Sequence, residues 1–290
     1  MVEKKNGTKN MPFRLFGQKV SPAMFLATAA TDGVGFHFGQ SAEDVILLRL
    51  FKKFKGDIRN GFYVDVGAFH PRKYSNTFIL HTFFGWKGIN IDASKEAIAL
   101  FEQERPEDIN IHSAIGGSEG EAVYWKFKSP EINTLSKNNI QRQLKKGKEV
   151  ISKENVKVRT LSDILDENLP DGKDIDLLNI DVEGLDLQTL KSNDWTKFRP
   201  TVVLIEDYSI QISGLENSDI YRYMKDVGYK FFSHTFDTSI YVKKEFIERE
   251  PVTKLTNIQI NTVNCLEDRE SDIFNRAATL AKVHPYWNEK

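Results

Sequence analysis

The chain holds a single cysteine, Cys265, in 290 residues. One thiol cannot form an internal disulfide, which excludes the small disulfide-stapled scaffolds and makes a reducing, cytoplasmic setting the expectation. Long apolar runs are missing too. A membrane-spanning helix needs about 20 apolar residues. The mildly apolar stretch from Val20 to Ala30 contains Ser21, Pro22 and Thr28, and Asp32 follows at once. It reads as part of an N-terminal arm rather than an export signal. Nor is there an excess of either charge: 40 Lys and Arg stand against 41 Asp and Glu. A near-neutral chain has no long-range field to gather nucleic acid or anionic lipid. The apolar share, 40%, is enough core for one large domain or two small ones.

Residues 1–38 show no clear apolar period and read as an arm. Ser41 with Asp44 three residues on resembles a capping box, and Val45, Leu47, Leu48 and Phe51 give the following segment a helical apolar face. Short apolar strands are expected at 61–69, 86–92, 109–116 and 121–127, with helices at 74–84 and 95–104. Residues 129–157 differ: from Lys137 to Lys157 there are seven Lys or Arg and two Glu. They read as a basic insertion, either a lid over an anionic substrate or a solvated helix face. A short strand and a helix follow, then buried strands at 174–184 and 201–207. A helix at 216–227 and two strands at 229–234 and 239–244, joined by an Asp-Thr turn, complete residues 39–250. From about residue 251 the chain is polar, with a terminal helix expected at 270–282. Strands alternating with helices predict a parallel sheet wound by right-handed crossovers.

The informative pattern is where acids and glycines fall. Four apolar strands run into Asp65-Val-Gly67, Asp92, Asp181-Val-Glu183-Gly184 and Glu206-Asp207. Parallel strands end on one edge, where ligands occupy the crevice. Carboxylates gathered there repel one another and call for a cation, a sugar or a ribose hydroxyl. Gly67 would let a ligand approach the backbone. Asp92 follows it by 25 residues, near the spacing of about 20 at which an acid meets a ribose. The run DVGAFHP has one glycine where a pyrophosphate fingerprint has three. This points to a nucleoside ligand without pyrophosphate, such as S-adenosylmethionine (AdoMet). Taken singly, each acid could serve a turn or a helix cap.

The strings QSAEDVILLRLF, GFYVDVGAFHPRKYSNTFILHTFFGWKGINIDAS, LLNIDVEGLDLQTL and RPTVVLIED together resemble the FkbM-type methyltransferases, over roughly residues 40–243. The resemblance implies AdoMet as cofactor and a class I methyltransferase Rossmann-like α/β fold. Its mostly parallel seven-stranded sheet would carry helices on both faces and an antiparallel last strand. It also implies methyl transfer to oxygen of a sugar, glycan precursor or related small polar acceptor. By analogy Asp65, Gly67 and Ala68 line the methionine part of AdoMet, Asp92 holds the ribose, and Ser113 and Ala114 flank adenine.

A neutral hydroxyl needs a general base, a metal, or both. Asp181, Glu206 and Asp207 are similar to the metal ligands of the macrocin-type sugar O-methyltransferases. In that analogy they hold Mg²⁺ and Glu183 is the base. The alternative is that Glu206 and Asp207 bind acceptor hydroxyls directly, or that Asp207 caps a turn. His70 is a second candidate base, or it packs beside Pro71; His234 is a weaker one. Ser75, Asn76 and Thr77 read as a helix start that could orient ligand or acceptor. The rival readings are an NAD-dependent sugar oxidoreductase, for which Tyr221 and Lys225 have the right spacing, and an RNA methyltransferase or nucleic-acid-binding module. No nucleic acid and no membrane span are expected, and a homo-oligomer stays open.

Overall fold

The structure, a computed structural model, describes residues 13–15, 18–20, 37–210 and 214–249. The chain divides into two units, residues 1–36 with 253–290, and residues 37–252. Of the first, β1 (Phe13–Leu15) and β2 (Gln18–Val20) form an antiparallel pair. The expected terminal helix, the polar C-terminal stretch and Cys265 lie outside the described residues. No helix among the described residues is long and apolar enough to cross a membrane.

The second unit opens with α1 (Glu43–Phe54) and continues through β3 (Phe62–Val66), α2 (Phe78–Phe84), β4 (Lys87–Asp92), α3 (Lys95–Glu104) and β5 (Ile109–His112). Next come β6 (Ala114–Ile115), β7 (Gly120–Phe127), α4 (Lys137–Lys145), β8 (Val150–Arg159) and α5 (Leu161–Asn168). Then follow β9 (Leu177–Ile180), α6 (Asp186–Lys191), β10 (Val202–Glu206), α7 (Asp219–Asp226), β11 (Tyr229–Thr235), β12 (Thr238–Lys243) and α8 (Lys244–Ile247). The large sheet has the order β11-β12-β10-β9-β3-β4-β5. β5, β4, β3, β9 and β10 run parallel, and β12 is antiparallel to both β10 and β11. Strand order reverses between β3 and β9, so a crevice is expected above their ends.

Period-2 alternation sorts the strand residues onto two faces. Phe62, Val64, Val66, Leu178, Ile180, Val203 and Ile205 pack with α5, α6 and α7 on one face. Tyr63, Leu177, Val202 and Leu204 pack with Leu47, Leu50 and Phe51 of α1 on the other. The second face carries a polar rung. Asn179, Asp65, Asn90 and Asn110 are register partners across four strands. The Asn179 amide donates to Asp65 at 2.9 Å, and Asn90 to Asn110 at 2.9 Å. Buried Arg105 supports this rung from outside through Thr77, Ser75 and the Pro71 carbonyl.

Several expectations need correction. The capping box does not form: Ala42 occupies the N-cap at φ 63°, Glu43 takes the Ser41 N–H, and Asp44 takes those of Phe38 and Gly39. α2 starts at Phe78 rather than 74, because Ser75 and Thr77 are committed to Arg105 and Tyr74 sits at φ 57°. Residues 109–116 are not one strand. β5 stays in the large sheet while β6 joins β8 and β7 in a separate three-stranded sheet. The helix at 216–227 is a 3₁₀ turn at Leu215–Asn217 followed by α7. The basic stretch is split between α4 and the ten-residue β8.

Candidate active site

Gly67 follows β3 in the left-handed region, at φ +76°. A Cβ there would lie 1.7 Å from the Asp181 carbonyl oxygen. The Asp181 backbone just past β9 therefore requires glycine here. The turn is tied down by Gly67 and Ala68 N–H bonds to the Ile91 carbonyl. It continues through Phe69 at φ 55° and Tyr74 at φ 57°, two non-glycine residues in a costly conformation. Their rings stack, and Tyr74 is 48% exposed beside the strand ends.

Asp92 ends β4. Its two oxygens accept from the Phe69 N–H at 2.8 Å and the Ser94 N–H at 2.6 Å. It thus joins the first turn to the second strand end, and burial pushes its carboxyl up to about 6. Each oxygen keeps a lone pair for a further donor. Asp65 is not placed to line a ligand. It is 2% exposed, and its oxygens accept from Asn179 and Thr77. Burial raises its carboxyl above the usual range, with those two hydrogen bonds opposing. Ala68 is buried beside the turn, and Asn76 donates to Asn179 rather than outward. Ser113 and Ala114 are both 3% exposed, and the Ser113 hydroxyl donates to the Ala114 and Lys157 carbonyls, so neither side chain presents a polar group to adenine.

His70 is turned away from base chemistry by its own loop. Its Nδ1 accepts from the Arg72 N–H at 3.0 Å and the Lys73 N–H at 3.2 Å. The basic lone pair of the neutral ring is thereby taken, and the other nitrogen carries the proton. His234 Nδ1 is paired with the Ser239 hydroxyl. The Tyr221–Lys225 spacing is coincidental: Tyr221 packs edge-on against Phe231 and Lys225 pairs with Glu216.

Three carboxylates do converge. One oxygen each from Asp181, Glu183 and Glu206 lies within 4.8 Å of the others. Asp207 is not among them, which corrects the expected ligand set. Consecutive residues at a strand end point to opposite faces. Asp207 accordingly turns to the Ser209 and Ser218 hydroxyls while Glu206 faces the cluster. Asp181 and Glu183 are two apart, and Glu183 at φ 54° keeps its side chain on the same side. Asp186 does not join. Its oxygens accept from the Val182 and Gly184 N–H groups at 3.0 Å and shape the turn.

The cluster is framed by residues that sequence reasoning missed. Asn139 on α4 donates to both the carboxylate and the carbonyl of Glu183 at 2.8 Å, and Thr134 donates to the same carbonyl. Tyr208 donates to Glu206 Oε1 at 2.5 Å, and Arg142 lies 4.8 Å over the Tyr208 ring. The basic insertion thus anchors one wall of the site. Glu206 is 8% exposed, yet its Oε2 has no hydrogen-bond partner. Burial and then the neighbouring carboxylates push Glu206 well above the usual carboxylate range. Glu183 is raised by burial and by Asp186, with Asn139 and Arg142 opposing. At an effective dielectric of ~20, two full charges at such separations repel by about 3 kcal/mol, and by less here because Asp181 is exposed to solvent.

The sheet order and the antiparallel β12 are those of the class I methyltransferase fold. Residues 65–231 match the methyltransferase FkbM domain, and the chain belongs to that family. The crystal structure of methyltransferase FkbM from Methylobacillus flagellatus KT is similar over 63% of this chain, at 14% identity and a TM-score of 0.38. The match covers 43% of that chain's length. Comparison with curated proteins gives no match.

Proposed function

We propose that this methyltransferase uses AdoMet and methylates a hydroxyl oxygen of a small polar acceptor of the sugar or glycan-precursor class. The observation that carries the reading is the carboxylate cluster of Asp181, Glu183 and Glu206 at the ends of β9 and β10, beside the Gly67 turn. The residues present fit such a ligand. Glu206 Oε2 has no donor, and the hydroxyls of AdoMet and of a polyhydroxylated acceptor would supply one. Asp92, fixed between the first turn and α3, would accept from the ribose hydroxyls with its remaining lone pairs. When bound, AdoMet supplies an electrophilic methyl carbon on a sulfonium.

The protein's own task is then to hold the acceptor oxygen in line and remove its proton. Asp181 is the most open of the three carboxylates. Its place just past the end of β9, open to solvent, suits it to accept that proton. Glu183 and Glu206, held by Asn139 and Tyr208, would position the acceptor by hydrogen bonds from its other hydroxyls. Incubation with methyl-tritiated AdoMet and panels of sugars, glycan precursors and RNA tests the reading. Label is expected in a base-stable ether on a glycan-type acceptor. Label in RNA alone would refute the acceptor class.

A further inference from the structure

We propose that Asp181, Glu183 and Glu206 bind one divalent, oxygen-seeking cation of the Mg²⁺ or Mn²⁺ type in the crevice. The site is not the one that strand-end acids suggest on paper, because Asp207 is spent on Ser209 and Ser218 while Glu183 takes its place. Each of the three residues offers an oxygen, and these lie within 4.8 Å of one another. Ligand oxygens on an octahedral Mg²⁺ sit at about 2.0–2.1 Å from the ion, hence roughly 3–4 Å apart. Small side-chain rotations close that difference.

Two further observations point to an occupant. Glu206 Oε2 is without a partner although the residue is 8% exposed. A buried polar oxygen is seldom left so, and a bound ion is one of its ordinary explanations. The set is also held in advance. Asn139 and Thr134 fix Glu183 in a left-handed backbone conformation, and Tyr208 fixes the other oxygen of Glu206. Arg142, the cation that acts on Glu183, gives its Nε–H to Asn139 and its face to Tyr208, and makes no ion pair with the carboxylate.

An all-carboxylate set selects a hard cation over zinc or copper. Three protein oxygens leave three octahedral positions for water or for two neighbouring hydroxyls of an acceptor. That gives room for a diol acceptor. A coordinated hydroxyl loses its proton more readily, and the Asp181 oxygen that does not hold the cation takes it. This consequence rests on the methyl-transfer reading, whereas the binding site itself does not.

The test uses the full chain after chelator treatment, titrated with Mn²⁺ alone and followed by the loss of the free-ion electron paramagnetic resonance signal. One saturable site per chain is expected, displaced by Mg²⁺. Glu206→Gln and Asp181→Asn should each weaken it at least tenfold, while Asp207→Asn should leave it within threefold. Circular dichroism confirms that each variant is folded, and whichever folds decides. Non-saturable binding, or binding unchanged in a folded Glu206→Gln or Asp181→Asn, overturns the site. Calorimetry with AdoMet on the same metal-free samples separates the two ideas. AdoMet binding without Mn²⁺ binding refutes the cation and keeps the methyl-donor reading, and the reverse refutes only the latter.

Discussion

Replacing Gly67 by alanine should break the contact that aligns β3 with β9. The new Cβ would stand 1.7 Å from the Asp181 carbonyl oxygen, against an ordinary contact well beyond 3 Å. Both atoms belong to backbone, so no rotamer change relieves the overlap. An L-residue at φ +76° adds about 1–2 kcal/mol. Separating the strands strains the Asp181 N–H bond to Val66 and the Gly67 N–H bond to Ile91, each 2.9 Å long, at about 1 kcal/mol apiece. The expected loss is about 3–5 kcal/mol, which for a domain of this size lowers Tm by roughly 10 °C or more. Gly117→Ala is the control, because nothing lies within 4 Å of its added Cβ, and its Tm should stay within about 2 °C. Thermal melts by circular dichroism read both. A Gly67→Ala protein that melts with the wild type would refute the close packing of the β3 turn on Asp181.

Asp92→Asn should weaken AdoMet about tenfold or more, the worth of a hydrogen bond to a charged group. With its carboxyl raised to about 6, wild-type affinity should fall as pH drops through 6, measured by calorimetry from pH 8 to 5. The stability term runs the other way. A carboxyl raised on folding favours the folded state below its unfolded value near 4, and that advantage is lost as pH rises through 6. His70→Ala should change kcat less than about threefold and leave the pH profile alone, because Nδ1 is already held by Arg72 and Lys73; a loss of a hundredfold or more would restore it as the base. Asn139→Ala should lower kcat about tenfold at unchanged AdoMet affinity, by releasing Glu183.

The strands that build the crevice were legible because each is a short apolar run broken by an acid. Four such runs in sequence leave few ways to make a sheet. β11 and β12 could be read as two runs on either side of a tight turn, and their antiparallel placement was what the family resemblance implied. Only the end of β8, residues 156–159, was legible as a short strand; its earlier residues carry Lys153 and Glu154, and pairing with β7 is what makes them strand. Nor did the run at 109–116 reveal that its chain changes sheets at Ser113. At the site, Asp181, Glu183 and Glu206 stood out by position, but adjacency hid the opposite facing of Glu206 and Asp207, which only a fixed strand end decides. Asn139, Thr134 and Tyr208 carry no signal of their own. They reach the cluster from a polar helix and two loops whose placement is a matter of tertiary packing.

The most direct test of the central claim is calorimetric titration of the full chain with AdoMet and, separately, with NADH. Saturable AdoMet binding with one site per chain, competed by S-adenosylhomocysteine and weakened in Asp92→Asn, is the predicted result. Heat from NADH with none from AdoMet would contradict a methyl-donor pocket above β3 and β9.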